Sequence, residues 1–122
     1  MPIGKYPDRV KETSASTGST TFTLDGAATG FRSFAAAVAD GATVDVCIAQ
    51  QDGSQWQVCE VTFTSPSTAT VGTVYSNSSG TTSAITFSAG TKDIYVVFPA
   101  DDIERVVSIG RAVAFANRMM LP

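Results

Sequence analysis

Two stretches that face each other across one turn constrain the fold of this chain more than anything else in it. In Thr43–Gln50, Val44, Val46 and Ile48 fall on one side of an extended backbone. Gln51-Asp52-Gly53-Ser54 is turn chemistry, and residues 55–64 return with the same two-residue period. On that return Trp56 and Val58 share one face, while Cys59, Val61 and Phe63 share the other. A two-residue period places side chains on alternate faces only in a strand, so an antiparallel hairpin is the expected centre of the fold.

The flanking sequence repeats the theme. Residues 8–14 are a candidate first strand, and Thr20-Thr21-Phe22-Thr23-Leu24 alternates with Phe22 and Leu24 on one face. Residues 68–75 form a further strand after the break at Ser65-Pro66-Ser67, and residues 76–83 are a flexible Ser/Thr/Gly loop. Residues 85–98 then give two short strands around a Gly90 turn. The continuous run from Ile94 to Phe98 points to a central strand covered on both faces. Residues 31–40 are read as a short, mostly extended segment, although Ala35-Ala36-Ala37 also allows a helical turn or two. Short strands at roughly ten-residue spacing define an all-β fold: an antiparallel β-sandwich or a jelly-roll-like barrel.

On this reading residues 1–7 are an N-terminal arm, residues 8–100 the β domain, and residues 101–122 a last strand or short helix followed by a C-terminal arm. Ser and Thr make up about a quarter of the chain, which suits polar strand faces and turns. Only 16% of residues are charged, which leaves little repulsion to stop surfaces from packing together. The net charge is −3, and of the scattered basic residues only Arg9 and Lys11 are neighbours. Neither nucleic acid nor a membrane is an expected partner.

Histidine is absent, which removes the commonest general base and the commonest metal ligand. Cys47 and Cys59 would face each other only if the hairpin loop held an odd number of residues centred on Gly53. Two free, buried thiols are the better reading in a reducing cytoplasm. Asp101, Asp102 and Glu104 lack the glycine and carbonyl pattern of a calcium loop and suit a helix start or solvated turn. Trp56 is a sugar platform or a core residue, and beside Val58 on a strand it is read as core. No cofactor and no catalytic residue is expected.

Several phrases, taken in order, resemble a module of tailed-bacteriophage virion proteins. They are Asp8-Arg9-Val10-Lys11-Glu12-Thr13-Ser14, Thr17-Gly18, Phe22-Thr23-Leu24-Asp25-Gly26-Ala27, Thr29-Gly30-Phe31-Arg32-Ser33-Phe34, Trp56-Gln57-Val58 and Phe87-Ser88-Ala89-Gly90-Thr91-Lys92-Asp93-Ile94-Tyr95. The module's usual glycine-rich stretch is replaced here by Cys59-Glu60-Val61-Thr62-Phe63, and its Leu-Ser-Arg-Asp words are missing from residues 68–75. The resemblance implies a non-enzymatic structural protein of the virion, folded in the bacterial host cytoplasm. The leading expectation is a tail accessory or fibre-attachment subunit docked through its terminal arms. A capsid decoration protein is the alternative, and a carbohydrate-binding module using Trp56 with Tyr75 or Tyr95 comes third. Expected partners are tail, fibre or major capsid subunits and further copies of the chain. The expected contact residues are Ile3, Tyr6, Phe115, Met119, Met120 and Leu121, apolar side chains of the two arms.

Overall fold

A computed structural model describes residues 6–100. It contains β1 (Lys11–Ser14), β2 (Thr21–Thr23), α1 (Phe34–Ala37), β3 (Thr43–Gln50), β4 (Trp56–Thr64), β5 (Thr68–Asn77) and β6 (Lys92–Val96). The strands form one antiparallel sheet in the order β1-β6-β3-β4-β5-β2. The chain leaving β2 then runs back along β1. Asp25 N–H donates to Thr13 O (2.8 Å), Ala28 N–H donates to Lys11 O (2.9 Å), and Glu12 bridges Ala27. The sheet therefore curls into a nearly closed barrel, which covers both of its edges.

Alternation decides what lies inside. Val44, Val46 and Ile48 of β3 face Val61, Cys59 and Gln57 of β4, and Ile94 of β6 faces Ile48. Phe22, Phe63, Phe87 and Ala69 complete the interior, with Phe22 edge-on to Phe87 at 5.6 Å between ring centres. Two register shifts between β4 and β5 place extra residues on β5, which bends the sheet and re-aims Tyr75.

Residues 34–37, read as extended, form a helical turn instead. Ser33 caps it by accepting a hydrogen bond from Ala36 N–H (3.1 Å). Phe34 and Ala37 point into the barrel, and Phe34 stacks on Phe63 at 6.4 Å. Burial of Phe34 and the serine cap outweigh the weak periodicity of so short a segment.

The register also settles the cysteines. Gln50 and Gln55 flank a four-residue turn, so Cys47 pairs with Val58, and Cys59 pairs with Val46. The two thiols point to opposite faces and are free. Strand β6 does lie between two neighbours, β1 and β3, but its faces are unequal. Ile94 is fully buried, Tyr95 and Val96 are half-buried, and Phe98, beyond the strand end, is 49% exposed.

One end of the interior is polar. Gln50, Gln57, Asn77 and Lys92 are all buried there, and each holds the connection that follows β5. Asn77 donates to Thr81 Oγ1 (3.0 Å) and Ser83 O (2.6 Å), and its Oδ1 accepts from Ser79 and Thr81 N–H. Gln57 Oε1 accepts from Ile85 N–H (3.0 Å), while its Nε2 is buried with no partner. Gln50 donates to Ser88 O (2.9 Å), and Lys92 Nζ donates to Ser88 O and Gly90 O (both 2.7 Å). Of residues 76–83, expected to be a flexible loop, Ser76 and Asn77 instead end β5, and the Asn77 side chain ties down the residues that follow. Gly90 permits the close approach of Gln50: its φ is +129°, and a Cβ there would lie 2.7 Å from Gln50 Oε1.

Candidate functional site

On the outer face, β3 and β4 bring Asp45 opposite Glu60, a pairing of carboxylates not apparent from their spacing. Asp45 is fully buried although it faces away from the core. Its Oδ2 accepts from the Tyr6 hydroxyl (2.9 Å) and its Oδ1 from the Tyr75 hydroxyl (3.0 Å), while Val97 N–H donates to its backbone carbonyl (3.0 Å). Both carboxylate oxygens therefore serve to tie β5 and the N-terminal segment to β3. A catalytic carboxylate needs an oxygen directed at a substrate proton, and here each is directed at a phenol.

Around this tie lies an aromatic groove of about 350 Å³, lined by Trp56, Val58, Tyr75, Val97, Phe98 and Pro99 among others. Trp56 opens β4 on the outer face and is 39% exposed, so the expectation that it is core is overturned. Its inward neighbour is Gln57, which takes the buried position because its amide is needed to hold Ile85. Replacing Trp56 by alanine should therefore lower stability by only about 1 kcal/mol, against roughly 3–5 for a buried Trp. Urea denaturation of the variant measures this directly.

Tyr6 stacks on Phe98 with ring centres 4.8 Å apart, and Ala100 also lines the groove. The first and last described segments thus meet at one rim. Of the expected contact residues, Tyr6 sits in this patch, 40% exposed; Ile3, Phe115, Met119, Met120 and Leu121 lie outside the described residues, as do Asp101, Asp102 and Glu104. Tyr75 lines the groove, whereas Tyr95 sits on β6 opposite Cys47, outside the groove's lining.

The thiols offer no nucleophile. Burial raises the Cys47 pKa, with a hydrogen bond to Tyr95 working against the rise. Cys59, inside the barrel, is pushed up to about 12, chiefly by burial. Both are protonated at neutral pH, and a thiol attacks only as the thiolate. Among the described residues no group of three His, Cys, Asp or Glu side chains is placed to hold a metal ion. Comparison with protein-family models, curated proteins and solved structures returns no match to this chain.

Proposed function

We propose that this chain is a non-enzymatic structural subunit of a tailed-phage virion, a tail accessory or fibre-attachment protein. The observation that carries the reading is the Tyr6–Phe98 stack, which gathers the roots of both terminal segments at one aromatic rim. A barrel whose described ends meet at one rim suits a subunit mounted on a scaffold from that side. The exposed Trp56 and Phe98 beside that rim form the kind of apolar patch used for protein contacts. The phage-like wording of residues 8–100 supplies the setting, and the partners are other virion proteins together with further copies of the chain. Capsid decoration uses the same attachment geometry, and the wording of the chain favours the tail.

Removing residues 1–5 and 101–122 tests the reading. The described core lies wholly within residues 10–94, so the shortened chain should keep its circular dichroism spectrum and cooperative melt. It should lose virion incorporation by at least tenfold in a complementation assay, and unchanged incorporation would sink the proposal. The exposure of Trp56 favours one second reading, glycan binding in the groove with Tyr75. For that reading, Trp56→Ala in the folded protein should abolish retention on a glycan array.

A further inference from the structure

A second cavity, of about 320 Å³, lies across β1 and β6 and is lined by Arg9, Val10, Lys11, Phe31, Tyr95 and Val96. Val10 and Val96 turn towards the apolar interior, Val10 buried and Val96 opposite Val46, so the aromatic lining is Phe31 and Tyr95. The Arg9 guanidinium carbon sits 4.2 Å over the Phe31 ring, and Lys11 Nζ lies 5.2 Å from Phe31 and 5.9 Å from Tyr95. Lys11 also pairs with Asp93 at 3.8 Å.

Two features set this place apart. Arg9 has φ +58°, and among the described residues it alone takes a positive φ without being glycine. A bulky side chain in that conformation is strained, and such strain gathers where a side chain must be aimed. The conformation sends Arg9 Nη2 to Gly30 O (2.9 Å) and the guanidinium onto Phe31. The charge distribution is equally uneven. The basic side chains of the described residues are Arg9, Lys11, Arg32 and Lys92, and Lys92 is buried in the barrel. Arg32 joins the other two through backbone hydrogen bonds, Arg32 N–H to Arg9 O (2.6 Å) and Lys11 N–H to Arg32 O (3.2 Å). Among the described residues, two of the three cations outside the barrel, Arg9 and Lys11, therefore line one cavity, with Arg32 on the neighbouring backbone.

We infer that this cavity binds a carboxylate carried on an apolar or aromatic body. A guanidinium held over a ring offers its N–H groups in its own plane, the geometry that a carboxylate accepts. Asp93 offsets much of Lys11, so the mouth suits one negative charge, and the acidic remainder of the chain repels a polyanion. The Phe31 and Tyr95 rings select an apolar body over a small hydrophilic ion. An acidic side chain flanked by an aromatic residue on a partner polypeptide has this chemistry, and so does a free aryl acid.

Titration of the full-length, isotope-labelled protein, followed by amide chemical shifts, tests the site. The probes are the capped peptide Ac-Phe-Glu-Phe-NH2, its Gln counterpart, 3-phenylpropionate and inorganic phosphate. The acid-bearing probes should shift the amides of residues 9–11, 30–32 and 95–96 saturably, at least tenfold more tightly than the Gln peptide. Tighter binding of the peptide than of phenylpropionate identifies a polypeptide source, and the reverse order a small molecule. Arg9→Gly, which relieves the positive φ, should leave the melting temperature unchanged or higher and weaken acid binding at least tenfold. Lys11→Gln, on a half-buried side chain paired with Asp93, should weaken it severalfold and serves if the Arg9 variant does not fold. Equal binding of the Glu and Gln peptides, no saturable shift, or tighter binding of phosphate at the same amides would overturn the assignment.

Discussion

Replacing Glu12 by alanine should destabilise the barrel by roughly 3–5 kcal/mol, enough to unfold a marginally stable domain of this size. Glu12 lies on β1, facing inward opposite Ile94, and is 4% exposed. Its Oε1 accepts from Gly26 N–H (2.9 Å) and its Oε2 from Phe34 N–H (2.7 Å). The first bond holds the turn that brings the chain back along β1, and the second holds the first residue of α1, whose Phe34 plugs the interior. Alanine would leave both amides unpaired and open a cavity beneath them. Glutamine keeps one acceptor but turns an NH2 towards an amide hydrogen, so it should cost about 1–3 kcal/mol. Urea denaturation gives the stabilities, and hydrogen exchange at Gly26 and Phe34 gives the local effect. If Glu12→Ala costs less than about 1 kcal/mol, water has replaced the carboxylate and the closure does not depend on it.

Glu12 also shows why part of this fold is illegible in the sequence. Alternation is local, so β3, β4 and β5 and the facing of Val44, Val46, Ile48, Cys59, Val61 and Phe63 are readable from residue types. A glutamate on a four-residue strand carries no such signal. Its partners are 14 and 22 residues away, and only the closed barrel brings them under it. The same holds for Gln57. The pattern places Trp56 and Val58 on the face opposite Cys59, Val61 and Phe63, and the structure agrees, yet a lone Trp beside Val58 reads as core. The amide of Gln57 reverses this, since an unpaired backbone N–H at Ile85 would be costly inside the barrel.

The candidate sites follow the same division. Tyr6 is legible as an arm residue that wants a partner, but its stack on Phe98 depends on β6 ending beside the start of the chain. Arg9 and Lys11 are neighbours in sequence, whereas Arg32 reaches them only through the parallel bridge between Val10 and Arg32. Aromatic and charged residues are thus visible in the sequence as types. Their grouping into a groove and a cationic cavity is a product of closure.

Closure also leaves a titration signature, and alkaline pH should destabilise the domain well before ordinary lysine titration. Cys59 is fully buried, and its pKa rises from 9.0 in the unfolded chain to about 12 in the fold, chiefly through burial. A raised folded-state pKa means that the folded chain keeps a proton that the unfolded chain has released. The associated stability is intact below pH 9 and is lost as pH climbs from 9 towards 12. At pH 11 the loss from this thiol reaches roughly 3 kcal/mol, taking about 1.4 kcal/mol per unit. Cys47 and Tyr95 are shifted in the same direction, Tyr95 to about 12 through its hydrogen bond with Cys47 and then burial, so they add to the loss. Lys92 opposes it: burial holds its pKa below 10.5, which favours the folded chain as pH rises through that interval. The thiols and the phenol outnumber the single amine, and the net slope should be downward. Cys59→Val keeps an apolar group in the core and removes the ionisable one. Urea midpoints at pH 7, 9, 10 and 11 under reducing conditions should therefore fall more steeply for the parent chain than for the variant. Parallel curves would place the alkaline weakness elsewhere in the barrel.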